Sequence, residues 1–343
     1  MNTAAAEQIA KAVLYEGYML YPYRPSAVKN RQRFNFGVLY PQAFSEAQKG
    51  VDPCALHTEC LVQATAQTRL EVRVRFLQLV ERSVEKRAGQ EFHPVPSLTV
   101  DGRTFHSWQE VVERELELPV ADLNLLARCP VVRSFGLSAS TTEEALLEGG
   151  TVAGRIVRTQ QAMTGSIYLA ANRLAESIFK IVVQVKNVTP VNDAAHISRD
   201  FALMRALISA HVVLGVADGE FVSLLDPPEA LRPAVEDCHN QGVFPVLVGE
   251  AGRHDTMLAS PIILYDYPQI APESAGDLFD GTEIDEILSL RIMTMTDEEK
   301  REMRESDERA RQMLERTESL PAEQFMKLHG ALRGLRPVNE ETR

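Results

Sequence analysis

Cysteine is scarce, tryptophan scarcer, and several familiar chemical signatures are missing; each gap closes off a class of explanation. Four cysteines in 343 residues, Cys54, Cys60, Cys129 and Cys238, are too few to staple a fold of this size, so a reducing, cytoplasmic setting is expected. No apolar run approaches the roughly 20 residues that a membrane-spanning helix requires. The opening stretch, MNTAAAEQIAKAVLYEGYML, has no basic region ahead of an apolar one, so no secretory signal is expected. Bases are outnumbered, with 36 Lys and Arg against 48 Asp and Glu, for a formal net charge of −12. Neutralising phosphates takes a clustered basic face, so nucleic acid is not an expected partner. There is no Gly-rich phosphate loop, no Gly-x-Ser-x-Gly elbow, no His-Glu-x-x-His pair and no EF-hand loop. No internal repeat recurs at a fixed solenoid-like period.

What is present is ordinary globular material, with 45% hydrophobic and 24% charged residues. Leu70, Val72, Val74 and Phe76 alternate with Glu71, Arg73 and Arg75, the period of a strand with one wet face. A similar alternation spans Phe179 to Val188, and Ser166 to Ala171 precedes it at hairpin distance. Val13 to Leu20 and Phe34 to Tyr40 read as strands flanking the proline-broken Tyr21 to Pro25, and residues 45–59 read as loop. Residues 108–118 fit a strand or a helix, and Pro119 stops either. Thr141 to Leu147 reads as a short helix ended by Gly149-Gly150. Asp200 to Ile208 has helical spacing. Asp218-Gly219 suggests a tight hairpin between Val212–Val216 and Phe221–Leu225. Pro227-Pro228 opens a predicted helix to about Asn240, and Val243 to Val248 and Ser260 to Tyr265 read as buried strands. Thr282 with Asp285, and Thr296 with Glu299, fit the capping box. Residues 297–318 alternate acids and bases, with Met303, Ala310, Met313 and Leu314 as one narrow apolar stripe. Ser319 and Pro321 fit the start of a last helix.

The expected fold class is α+β. An antiparallel β-rich region, a sandwich or partly open barrel, covers residues 1–192. A mixed α/β region, 193–275, packs on it, and a charged helical segment, 276–343, closes the chain.

Candidate chemistry is sparse. Cys54, His57 and Cys60 form the one compact set of soft-metal ligands, suited to zinc or iron if a loop lets them converge. A fourth ligand would have to come from Cys129, Cys238, His239 or His254. Cys238-His239 cannot act as a dyad within one helix, because adjacent helical side chains point about 100° apart. Asp280, Glu283, Asp285 and Glu286 could bind a hard cation, but a helix N-terminus, whose partial positive charge favours acids, already explains their presence. A hydrolase site would have to be assembled from His254, Asp255 and that acidic cluster. No catalytic residue can be assigned and no resident cofactor is expected. The aromatic and basic patch with Tyr21, Tyr23 and Arg24, and the Tyr- and Pro-rich segment with Tyr265 and Tyr267, offer rigid contact area and point to protein partners.

Long stretches of the chain resemble one family. They are YEGYMLYPYRPSAVKNRQRFNFGVLYP (15–41), ECLVQATAQTRLEVRVRFLQLV (59–80), FVSLLDPPEAL (221–231), PVLVGEAGRHDTMLASPIILYDYPQIAPES (245–274) and DLFDGTEIDEILSLRIMTMTDEEK (277–300). The chain is similar to bacterial proteins associated with gene clusters for uptake nickel–iron hydrogenases. The resemblance implies a role in assembling, maturing or housing the hydrogenase. Together with the missing catalytic motifs it leads to the expectation of a non-enzymatic accessory protein, with hydrogenase subunits or maturation factors as partners. It brings no assigned catalytic or binding residues.

Overall fold

The computed structural model describes residues 3–15, 36–269, 292–306 and 308–319. The fold is α+β and mostly antiparallel sheet. In chain order the elements begin with α1 (Thr3–Leu14), α2 (Gln42–Ala47), β1 (Ala55–Ala88), β2 (Glu91–Val95), β3 (Ser97–Val100), β4 (Arg103–His106), β5 (Trp108–Glu117) and β6 (Ala121–Asp122). They continue with α3 (Leu123–Leu126), β7 (Val131–Leu137), β8 (Ser140–Glu148), β9 (Thr151–Gln160), β10 (Met163–Arg173) and β11 (Ile178–Asn187). Then come α4 (Arg199–Leu203), β12 (Ile208–Phe221), a 3-10 turn, α5 (Arg232–Glu236), β13 (Phe244–Leu247), β14 (Thr256–Ser260) and the helices Asp297–Ser306 and Glu308–Glu318. No described helix is long and apolar enough to cross a membrane.

One strand organises the rest. β1 runs for 34 residues, and the alternating segment from Leu70 is only its middle. Residues paired on both sides at once reveal its two edges. One edge carries β11, β6, β5 and β2 in turn; the other carries β12 and then β9. The path β13-β14-β12-β1-β11-β10-β7 therefore places β12 to β14 in the same sheet as β1.

The two faces of β1 serve different cores. Leu70, Val72, Val74 and Phe76 join Ile167, Ile181, Val183, Val212 and Leu214 in the main cluster. Phe135 on β7 lies 6.1 Å from Phe76, centroid to centroid, although β7 is three strands from β1 in the sheet order, so the sheet curls over this core. On the opposite face Leu77 and Leu79 meet Met303, Ala310, Met313 and Leu314, the apolar stripe of the charged helices. Burying such side chains stabilises by roughly 1.5–3 kcal/mol each, which is enough to dock helices that are otherwise polar all round. The cap read from the sequence is present: Glu299 N–H donates to Thr296 Oγ1 at 3.2 Å, and Thr296 N–H to Glu299 Oε2 at 3.0 Å. α1 packs Ile9, Ala10 and Val13 on Val213, Val246 and Leu258.

Several sequence expectations are corrected. Val13 and Leu14 end a helix instead of starting a strand, because an Ala-rich run precedes them. In residues 45–59, α2 and the start of β1 replace much of the expected loop. Residues 108–117 are strand. Thr141 to Leu147 lies in β8, and Gly149-Gly150 forms the turn of the β8–β9 hairpin. The expected hairpin at Asp218-Gly219 is a register shift inside a continuous β12, opposite an irregularity between Ala64 and Arg69 of β1. Helix after Pro228 is confined to the 3-10 turn Glu229–Leu231 and α5. Strand β14 ends at Ser260, so residues 261–265 are not strand. The cap at Thr282 and the helix start at Ser319 and Pro321 fall wholly or partly outside the described residues.

Candidate functional site

The first candidate begins at the start of β1. His57 and Glu59 occupy alternate positions on a strand, so both project from the same face, towards the segment 237–241. That segment is clamped to the strand. His57 N–H donates to Gln241 O at 3.0 Å, and Gln241 N–H returns to His57 O at 2.8 Å. Asn240 extends the pairing with its side chain, accepting at Oδ1 from Thr58 Oγ1 (2.7 Å) and Glu59 N–H (2.9 Å), and donating from Nδ2 to Glu59 O (3.2 Å).

Within this clamp the Glu59 carboxylate is mostly enclosed. His57 Nε2 lies 3.0 Å from its Oε1, and His239 N–H and Lys180 Nζ lie 3.0 and 3.3 Å from its Oε2. Burial pushes the Glu59 carboxyl upward, but the His239 amide, His57 and Lys180 outweigh it and hold the group below its ordinary value. Lys180 on β11 also donates to Asp237 Oδ2 at 2.8 Å and to the Asp237 carbonyl at 3.1 Å. The hydrogen bond to Asp237 raises the ammonium's affinity for its proton above the usual level. Every charge here is committed to another, so the arrangement fastens a loop to the sheet.

The ligand set predicted from sequence is divided by this same strand. Its expected loop is extended backbone, so His57 and Cys60, three residues apart, face opposite sides of the sheet. Cys60 is buried in the main core, and burial drives its thiol well above the ordinary range. Cys54 is half-buried just before the strand, Cys129 is exposed, and Cys238 is half-buried with its thiol pushed up to about 11 by burial. Neither Cys60 nor Cys238 is poised as a thiolate. Among the described residues no three His, Cys, Asp or Glu side chains are grouped to hold a metal ion. Cys238 and His239 lie beyond the end of α5, not within a helix. His254 is occupied by the Phe221 carbonyl at 3.0 Å and Asp255 by Arg253 at 2.8 Å. The acidic residues Asp280, Glu283, Asp285 and Glu286 lie outside the described residues, as do Tyr21, Tyr23 and Arg24.

The second candidate is the segment following β14. Ile262 and Leu264 pack inward on the cluster beneath α1, while Ile263 and Tyr265 between and after them are 74% and 86% exposed. The outward display is fixed from both ends. Ser260 Oγ donates to Ile262 O at 2.7 Å. Asp266 accepts from Ser223 Oγ at 2.5 Å and from Leu247 N–H at 2.8 Å. Tyr267 donates its N–H to Leu247 O at 2.7 Å and adopts φ +55°, which turns its ring back onto the main core and edge-on to His254. The two tyrosines paired in the sequence reading therefore divide: Tyr265 is the displayed side chain, and Tyr267 anchors the loop that displays it. The signal that separates them is Asp266, whose carboxylate fits a pinned turn, but alternation alone does not reveal its partners on β13 and at Ser223.

No protein-family model matches this chain, and no curated protein matches it either.

Proposed function

We propose that the protein is a non-enzymatic accessory protein that acts through protein–protein contacts, assisting the assembly or maturation of nickel–iron hydrogenases in the cytoplasm. The observation that carries the contact role is Tyr265, 86% exposed on a segment whose neighbours on both sides are pinned. A backbone already pinned on both sides of the aromatic has little further entropy to lose when a partner covers it, and tyrosine is among the residues that dominate interface energetics. The resemblance of five long segments to hydrogenase-associated proteins supports the choice of partner. Ile263 extends the apolar surface beside Tyr265, and no catalytic residue or cofactor enters this reading.

The test is a tagged full-length chain recovered from cells grown on hydrogen and analysed by mass spectrometry. Hydrogenase subunits or maturation proteins are expected at near-stoichiometric levels, with at least tenfold less recovered by Tyr265→Ala at an unchanged unfolding midpoint. Undiminished recovery with Tyr265→Ala would remove this surface. Recovery of the chain alone, from cells with active hydrogenase, would remove the partner class.

A further inference from the structure

The sheet order ends at β7, and among the described residues no further strand pairs with that edge. Among the described elements only β10 runs alongside it. The side chains from Val131 to Ser134, and Gly136, are exposed. Which backbone groups face outward follows from the neighbouring strand. Thr164 of β10 uses its own groups on the β11 side: its carbonyl accepts from Val188 N–H at 3.0 Å, and its N–H donates to Thr189 Oγ1 at 3.0 Å. Backbone direction alternates along a strand, so Met163, Gly165, Ile167 and Leu169 turn theirs towards β7, where Leu137, Phe135, Arg133 and Val131 stand opposite. The N–H and C=O groups of Val132, Ser134 and Gly136 therefore point away from the sheet, and none has a backbone partner among the described residues.

We propose that β7 pairs with β7 of a second copy of this chain, antiparallel, about a twofold axis through Ser134. In that register Ser134 faces Ser134 and Val132 faces Gly136. These are the residues with outward groups, so each such pair exchanges both of its hydrogen bonds. Gly136 leaves open the space into which Val132, 66% exposed, projects. On the other face Val131 meets Leu137 and Arg133 meets Phe135. Arg133 is the one charge in the strand and has no ion pair among the described residues. The twofold sets it against an aromatic side chain, a favourable cross-strand pair, instead of against its own copy. A one-residue slip would oppose outward groups to inward ones and invert the faces. Pro130, without an N–H, and the break at Ser138-Ala139 bound the ladder on either side. A ladder this short buries little surface, so the dimer is a concentration-dependent one.

Light scattering on the full chain across a hundredfold concentration range tests this. The mass is expected to climb from that of one chain, 38.2 kDa, towards twice that value. Ser134→Pro removes one outward N–H and leaves the β10 ladder intact, so it is expected to hold the mass at one chain. Val132→Lys, a charge on the exposed side of the same edge, is expected to do the same with an unchanged circular dichroism spectrum. In a Cys129→Ser background, Ser134→Cys is expected to give an intermolecular disulfide under mild oxidation, mapped by mass spectrometry. A mass of one chain at every concentration, or a dimer indifferent to both edge variants, would overturn the proposal.

Discussion

His211 is fully buried on β12, beneath the end of α1 and across from Arg75. Its Nδ1 lies 2.9 Å from the Ser209 carbonyl, and Nε2 has no hydrogen-bond partner among the described residues. Ser209 holds φ +51° at the register shift where β12 starts, with its Oγ donating to Val13 O at 3.3 Å. Burial lowers the imidazole pKa to about 4, and Arg75 adds to the effect. The folded chain therefore takes up this proton less readily than the unfolded chain, whose imidazole titrates near 6.5. Stability from this group is complete above pH 6.5 and is lost as pH falls towards about 4. Between pH 7 and 5 the loss is about 2 kcal/mol. Urea unfolding of the native chain and of His211→Leu should show that extra acid sensitivity only in the native chain. Equal slopes would place the proton elsewhere. Removing the unpartnered nitrogen should also leave the variant no less stable at neutral pH. Nothing in the run ISAHVVLGV marks this histidine as special, because its surroundings come from α1 and β1, distant in sequence.

At the scale of elements, strands were legible where one face is buried and the other is wet. β10, β11 and the middle of β1 alternate because the curled sheet demands it. The charged helices were legible because four apolar residues fall on one stripe. β8 was not: it lies at the sheet edge with nearly every side chain exposed, so no alternation was imposed and TTEEALLE kept its helical propensity. Pairing with β9 overrides that propensity. Asp218-Gly219 was misread because turn chemistry is also bulge chemistry. Asp218 has φ +55°, and its carbonyl accepts from Thr65 and Thr68 across the irregularity in β1. Glycine carries a structural requirement on β10. An ideal Cβ on Gly165 would lie 2.2 Å from the Phe135 ring and 2.9 Å from the Lys186 carbonyl. The ring of the facing strand occupies the side chain's place, as it does where aromatics cover glycines in sheets. Gly165→Val should cost about 2 kcal/mol or more in chemical unfolding, because the ring must leave and the carbonyl of β11 cannot easily follow. A cost near zero would mean that Phe135 has another place to rest.

For the molecule as a whole, the single tryptophan is a useful reporter. Trp108 on β5 packs against the cluster that contains Met303, Met313 and Leu314 of the paired helices. If those helices belong to the same cooperative unit as the sheet, Trp108 fluorescence and far-ultraviolet circular dichroism will change together along a denaturant titration. Fluorescence changing first would show that the helices leave before the sheet opens. The candidate surfaces were only partly readable at this scale. The tyrosines of the segment after β14 were singled out from composition, but which one is presented depends on Ser223 and Leu247. The Glu59 cluster needs Lys180 and Asp237, brought to β1 by pairing and by a loop more than a hundred residues away. β1 also decides how the chain can be divided. A break anywhere between Ala55 and Ala88 would part strands that share it on both edges, and an inserted residue would turn every later side chain to the wrong face. Split halves or new termini have a better place at the Gly149-Gly150 tip, where both residues have positive φ and an added Cβ would meet open space. A two-piece reporter built from this protein would thus be cut at that tip, with the whole spine left in the first piece.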